Sequence, residues 1–214
     1  LTTAIHERLP NASILSEESS PDPSTLDNDT CFVIDPIDGT NELAAGRSGF
    51  AISVALYQRG RPAAALLDLP ALDQRFECGA GLGTELNGKT VRLSPLGDLA
   101  QARIAVSATQ RRMDHLQLVW RNMPVAELVP TPAFTPKFAA VLSGRCDAAL
   151  YLPVRPHRTA IWDYAAAAFL LNEAGGWFGS TDGSDLLREQ PFLFADGWMA
   201  TPPGLRKSTL EGCT

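Results

Sequence analysis

Five carboxylates stand in three short stretches: Glu17 and Glu18 in SILSEE (13–18), Asp35 and Asp38 in CFVIDPIDGTNEL (31–43), and Asp163 in IWDYAAAA (161–168). Acids gathered at one point repel one another unless a cation or a proton intervenes. Oxygen ligands without histidine or cysteine suit Mg²⁺ or Mn²⁺ better than Zn²⁺. Two such ions roughly 3.5–4 Å apart can activate water and stabilise a leaving oxygen in phosphoryl transfer. The turn Asp38-Gly39-Thr40 adds a phosphate cradle of backbone N–H groups, because glycine lets a ligand approach closely. Taken singly, each stretch has a plainer reading: a solvated turn, a β-turn, and an acid favoured by the dipole at a helix start.

The elements around these acids decide whether they can meet. SILSEE reads as a short strand running into Glu17 and Glu18. The apolar run Cys31-Phe32-Val33-Ile34 reads as a buried strand ending at Asp35, with Asp38 in a turn tightened by Pro36 and Gly39. Neighbouring strands would bring these ends together. Residues 49–94 read as antiparallel strands, with turn signals at Arg59-Gly60-Arg61-Pro62, Leu72-Asp73 and Asn87-Gly88. From Ala102 onward strands and helices alternate: a strand over 102–108, a helix over 109–123, a helix–turn–strand over 136–152 with Gly144 at the turn, and a helix over 159–176 stopped by Gly175-Gly176. Residues 2–10 read as the end of an amphipathic helix. The fold class is α/β, with a lobe boundary near 95–98 dividing residues 1–97, which carry most of the acids, from 98–214, which carry Asp163.

Composition sets limits. The 214 residues are 45% hydrophobic, enough for a sizeable core, and the net charge is −6. With a pI near 5.0, the chain lacks the basic excess of a nucleic-acid binder. Cys31, Cys78, Cys146 and Cys213 are widely spaced with no CxxC pair, which points to reduced thiols and a cytoplasmic location. The longest apolar run, Ala165 to Leu171, is far short of the about 20 residues a membrane span needs. The chain starts at Leu1, inside a helical pattern, so further residues are expected upstream. His6, His115 and His157 are scattered and suggest no histidine catalysis.

The three acidic stretches in this order resemble the inositol monophosphatase superfamily of metal-dependent, lithium-sensitive phosphatases. Its signatures are a Glu-Glu pair, Asp-Pro-Ile/Leu-Asp-Gly-Thr, and Trp-Asp-x-Ala-Ala/Gly followed by Glu-Ala-Gly-Gly. They match Glu17-Glu18, Asp35 to Thr40, and Trp162 to Ala166 with Glu173 to Gly176. GAGLGTELNGKTVRLS (79–94) is similar to the family's Gly-rich hairpin, and KFAAVLSGRCDAALY (137–151) to its helix–strand. The resemblance implies a layered αβαβα sandwich, here without its N-terminal helices, and a homodimer. It implies two or three Mg²⁺ ions, with Mn²⁺ as a substitute: Glu17, Asp35 and the Ile37 carbonyl on one; Asp35, Asp38 and Asp163 on another; Glu18 either behind these ligands or helping to hold a weaker third ion. Glu17, Asp38 and Thr40 would act in catalysis, Thr40 by orienting the attacking water. Gly39, Thr40 and Asn41 would hold the substrate phosphate.

The implied activity is a Mg²⁺-dependent phosphomonoesterase acting on a small phosphorylated metabolite. The chain departs from the family pattern in three places. An upstream acid that partners the water-positioning threonine is not in this chain. The segment TPAFTPKF puts Phe134 and two prolines where relatives have a small Gly-Ser or Gly-Thr turn. YLPVRPHRTAIWD has no acid before Trp162 and carries Arg155, His157 and Arg158, so Arg155 could bind a second phosphate. Lys137-Phe138 and Tyr151-Leu152 look more like the 3′(2′),5′-bisphosphate nucleotidase branch. A catalytically impaired regulatory member is the other alternative.

Overall fold

The computed structural model describes residues 1–19, 22–152, 158–194, 197–207 and 209. A first sheet is built from β1 (Ser13–Ser16), β2 (Thr30–Asp38), β3 (Ala51–Gln58), β4 (Arg61–Leu69), β5 (Gln74–Gly79), β6 (Gly83–Leu86) and β7 (Lys89–Val91) in chain order. Only the β1–β2 pair is parallel; the others are antiparallel neighbours. The hairpin turns fall where glycine pairs mark them. Arg59 and Gly60, like Asn87 and Gly88, both take positive φ, the primed turn that matches strand twist. Along β3 the alternation is regular: Ala51, Ser53, Ala55 and Tyr57 are buried while Ile52, Val54 and Leu56 are half-buried, as period-2 geometry requires.

A second sheet comprises β8 (Arg103–Val106), β9 (Glu127–Pro130), β10 (Ala148–Tyr151), β12 (Trp177–Ser180) and β14 (Trp198–Thr201), in the order β12-β14-β10-β8-β9. The short strands β11 (Thr159–Ala160) and β13 (Leu193–Phe194) pair separately. The helices are α1 (Thr2–Arg8), α2 (Thr40–Ala44), α3 (Ala108–Arg111), α4 (Asp114–Asn122), α5 (Thr135–Leu142), α6 (Ile161–Glu173) and α7 (Leu186–Glu189). Helices α5 and α6 lie between the sheets: α6 packs on β2 to β6 and on β12, α5 on β3 and β4 and on β8, β10 and β14. All eight residues of α5 are buried, as are Tyr164 to Leu171 of α6. Their all-round apolar sequences follow from being enclosed on both sides. On the far face of the second sheet, Leu116, Trp120 and Met123 pack against Ile104, Val106, Ala148 and Leu150. The layers run sheet, helices, sheet, helix, the last four of the expected αβαβα order; α1 buries no residue.

Three expectations change. The helix expected over 109–123 is two, α3 and α4, broken at Met113 in extended backbone. The buried Gln110 side chain donates to the Leu152 carbonyl, and Trp120 Nε1 donates to the Gln110 carbonyl at 3.1 Å. These bonds pin the first turn and force the kink. Strand β2 runs through Pro36 to Asp38, which pairs with Ala51, so Asp38 ends a strand and the turn starts at Gly39. A register shift between Asp35 and Asp38 accommodates the proline. Strands β9, β12 and β14, not anticipated from sequence, complete the second sheet. Glu173 shows why its motif matters structurally: its Oε2 accepts from the amides of Gly81 and Gly83 at 3.0 and 3.2 Å, tying the end of α6 to the β5–β6 hairpin.

Candidate metal and phosphate site

The parallel β1–β2 register places Ser16 beside Ile34, and the Glu17 amide donates to the Ile34 carbonyl at 3.3 Å. Glu17 therefore emerges next to Asp35, on the exposed rim, with Glu18 and Ser19 also exposed. Asp35 is 2% exposed. Its Oδ1 accepts from the Ile37 amide at 3.0 Å, and Thr40 Oγ1 donates to the Ile37 carbonyl at 3.3 Å. Asp163, in the first turn of α6, accepts from the Ala160 amide at 2.7 Å. Asp35 and Asp163 are thus each steadied by a backbone N–H close to them in sequence.

Asp38 is held from much farther away. Its Oδ2 accepts from the amides of Phe134 (3.0 Å) and Thr135 and from Thr135 Oγ1 at 2.7 Å. An acid on the first sheet thereby caps the N-terminus of α5, satisfying donors that a helix start leaves without partners. The turn feeding this helix is braced: Ala133 has φ +53°, and the buried Lys137 ammonium donates to its carbonyl. Burial pushes Lys137 down to about 8, and Asp38 opposes that shift. Thr135 was not among the residues read as functional. A threonine just before an apolar helix is a capping signal, but a cap for its own helix, not a partner for a strand acid.

Asp35 and Asp163 each feel the charges of Asp38 and Glu17. Burial raises Asp35 to about 8, helped by the charges of Asp38, Glu17 and Asp163. Burial likewise raises Asp163 to about 7; the Ala160 N–H opposes this while Asp38 and Glu17 add to it. Among the described residues no three of the acids, histidines and cysteines are grouped so as to hold a metal ion; Asp38 is bonded to the start of α5 and Asp163 to the Ala160 amide. The donor set nonetheless fits a hard divalent cation: carboxylate and carbonyl oxygens only, two of them in carboxyls that resist ionising without a counter-charge. Arg155 and His157 lie outside the described residues, as does Cys213. Cys31, Cys78 and Cys146 are free. A cavity of about 600 Å³ sits elsewhere, between Lys89, Arg92 and the C-terminal end of α5.

Gly39 joins the acids to α2. Its φ is +87°, and a Cβ there would meet the Gly49 carbonyl oxygen at 2.7 Å and Ala133 Cβ at 3.0 Å. Gly39→Ala is expected to cost about 1–3 kcal/mol of stability and to shift Thr40. A urea midpoint equal to that of the unmutated chain would show that the backbone there relaxes freely.

The Inositol monophosphatase family model matches residues 1–210. The chain belongs to the inositol monophosphatase family. It is 29% identical over 215 residues to the inositol-1-monophosphatase of Bacillus subtilis, covering 97% of this chain and 76% of that one. It is 32% identical over 177 residues to the Nus factor SuhB of Escherichia coli K12, covering 80% of this chain and 64% of that one. The chain thus spans about three quarters of the first relative's length and under two thirds of the second's. An inositol monophosphatase structure from Anabaena superposes with a TM-score of 0.81 at 24% identity, over 99% of this chain and 82% of that one. The inositol monophosphate-bound IMPase-II, from Staphylococcus aureus, gives 0.83 at 22%, over 98% and 79%. The family is one of metal-dependent phosphatases, and no helix among the described residues is long and apolar enough to cross a membrane.

Proposed function

We propose that the protein is a Mg²⁺-dependent phosphomonoesterase that hydrolyses a small phosphorylated metabolite. The observation that carries this is Asp35, buried and raised to about 8 by that burial and by the charges of Asp38, Glu17 and Asp163, a carboxyl whose ionisation a bound cation would favour. Glu17, Asp35, the Ile37 carbonyl, Asp38 and Asp163 would hold the ions. Bound Mg²⁺ supplies Lewis acidity and a water acidic enough to attack at neutral pH. Thr40 stands beside this donor set, its hydroxyl on the Ile37 carbonyl, where it orients that water. The N–H groups of Gly39, Thr40 and Asn41 take the phosphate oxygens. The water oxygen bonds to phosphorus as the ester oxygen leaves in line, and the water's proton ends on the departing alkoxide.

A nucleotide substrate has one observation in its favour. The Phe134 amide donates to Asp38, and its ring, packed on Phe138 and Trp198, stays half-buried, so its remaining exposed part could take a stacked base. The test is phosphate release with Mg²⁺ and with EDTA on adenosine 3′,5′-bisphosphate, inositol 1-phosphate, histidinol phosphate and fructose 1,6-bisphosphate. Metal-dependent turnover of one compound is expected, and the preferred compound selects the branch. Silence on all four, with metal bound, would favour a regulatory role, of the sort suggested by the name Nus factor that SuhB carries.

A further inference from the structure

We infer that Thr135 is a positioning residue that selects which oxygen of Asp38 is offered to the cation. This rests on the metal-dependent reading above. The geometry is asymmetric. Oδ2 accepts three hydrogen bonds, from the Phe134 amide, the Thr135 amide and Thr135 Oγ1. Oδ1 has only a long contact of 3.3 Å with the Phe134 amide. A carboxylate offers about four lone-pair sites, so Oδ2 is saturated and Oδ1 stays available. Thr135 is fully buried and starts a helix whose eight residues are all buried between the two sheets. Lys137 braces the preceding turn through the Ala133 carbonyl, and the Phe134 ring is stacked on Phe138 at 5.3 Å. The hydroxyl therefore has one place to go, and it fixes the carboxylate plane before any ion arrives. Residues that orient a ligand's other oxygen set affinity in this way.

The experiment is a Mn²⁺ titration of the full chain, followed by the spin signal of the free ion, on Thr135→Val, Thr135→Ser and Asp35→Asn. Thr135→Val is expected to weaken Mn²⁺ binding by about tenfold or more, and Thr135→Ser, which keeps the hydroxyl, by less than about threefold. In turnover, Thr135→Val should raise the Mg²⁺ concentration at half-maximal rate by a similar factor, with kcat at saturating Mg²⁺ little changed. If Thr135→Val does not fold, Thr135→Ala carries the same expectation. Equal Mn²⁺ affinity in Thr135→Val and the unmutated chain, with binding lost in Asp35→Asn, would overturn this inference alone. Unchanged binding in Asp35→Asn as well would overturn the metal-site reading beneath it.

Discussion

Asp35→Asn is expected to stabilise the metal-free protein while reducing phosphate release to the level seen with EDTA. The Asp35 carboxyl moves from 3.8 in the unfolded chain to about 8 when folded. Between those values the folded state binds more protons than the unfolded one, so stability falls as pH rises through the window. Asp163, raised to about 7, acts with the same sign. In EDTA the melting temperature should therefore decline between pH 5 and pH 8, the ionised pair costing on the order of a few kcal/mol at the upper end. Asparagine removes the Asp35 share yet keeps an oxygen to accept the Ile37 amide. At pH 8 and without metal, Asp35→Asn should melt several degrees higher, at about 2–4 °C per kcal/mol for a chain of this size. Mg²⁺ should reverse the ranking, raising the unmutated protein more at pH 8 than at pH 6, because binding needs the deprotonated acids. Scanning calorimetry at both pH values, with Mg²⁺ and with EDTA, checks all of this. A metal-free melting temperature that rises toward pH 8 would mean that Asp35 ionises without cost.

That result would also show how far the site was legible in the residues themselves. The acids could be read because carboxylates are letters in the sequence, and because Glu17 follows β1 directly while Asp35 follows the apolar run of the neighbouring β2, so both fall at one edge. The glycine-marked hairpins were legible for a similar reason: a positive φ at Gly60 and Gly88 is a local demand. The partner of Asp38 was not. Two of its donors are backbone amides, which no letter records, and the pairing spans 97 residues of chain. Nor was the extension of β2 through Pro36, because a proline after Asp35 argues for a turn until a neighbouring strand absorbs the register shift. Strands β12 and β14 are four residues each, too short to show a period, and they exist because a buried sheet gives them partners. The helix layer between the sheets was readable in type, from its unbroken apolar run, but its role in holding Asp38 came from tertiary packing.

That packing makes the second large effect. Trp198 is 1% exposed at the centre of an aromatic cluster, with ring centroids 4.4 Å from Phe134, 5.4 Å from Phe138 and 6.0 Å from Phe178. Trp198→Ala should cost about 3–5 kcal/mol through lost burial and the cavity left behind, a large share of the 5–15 kcal/mol that keeps a typical domain folded. Urea unfolding at 10 °C, where the variant should still fold, would measure it. The loss should reach the site through one residue. The Phe134 ring rests on Trp198 while its amide donates to Asp38, so a loosened ring frees the amide and lets the carboxylate turn. Half-saturating Mg²⁺ should rise in Trp198→Ala and stay near its normal value in Trp198→Phe, which keeps a ring under Phe134. A variant that lost stability with its metal dependence intact would mean that Thr135 and the rest of α5 hold Asp38 without help from the aromatic cluster.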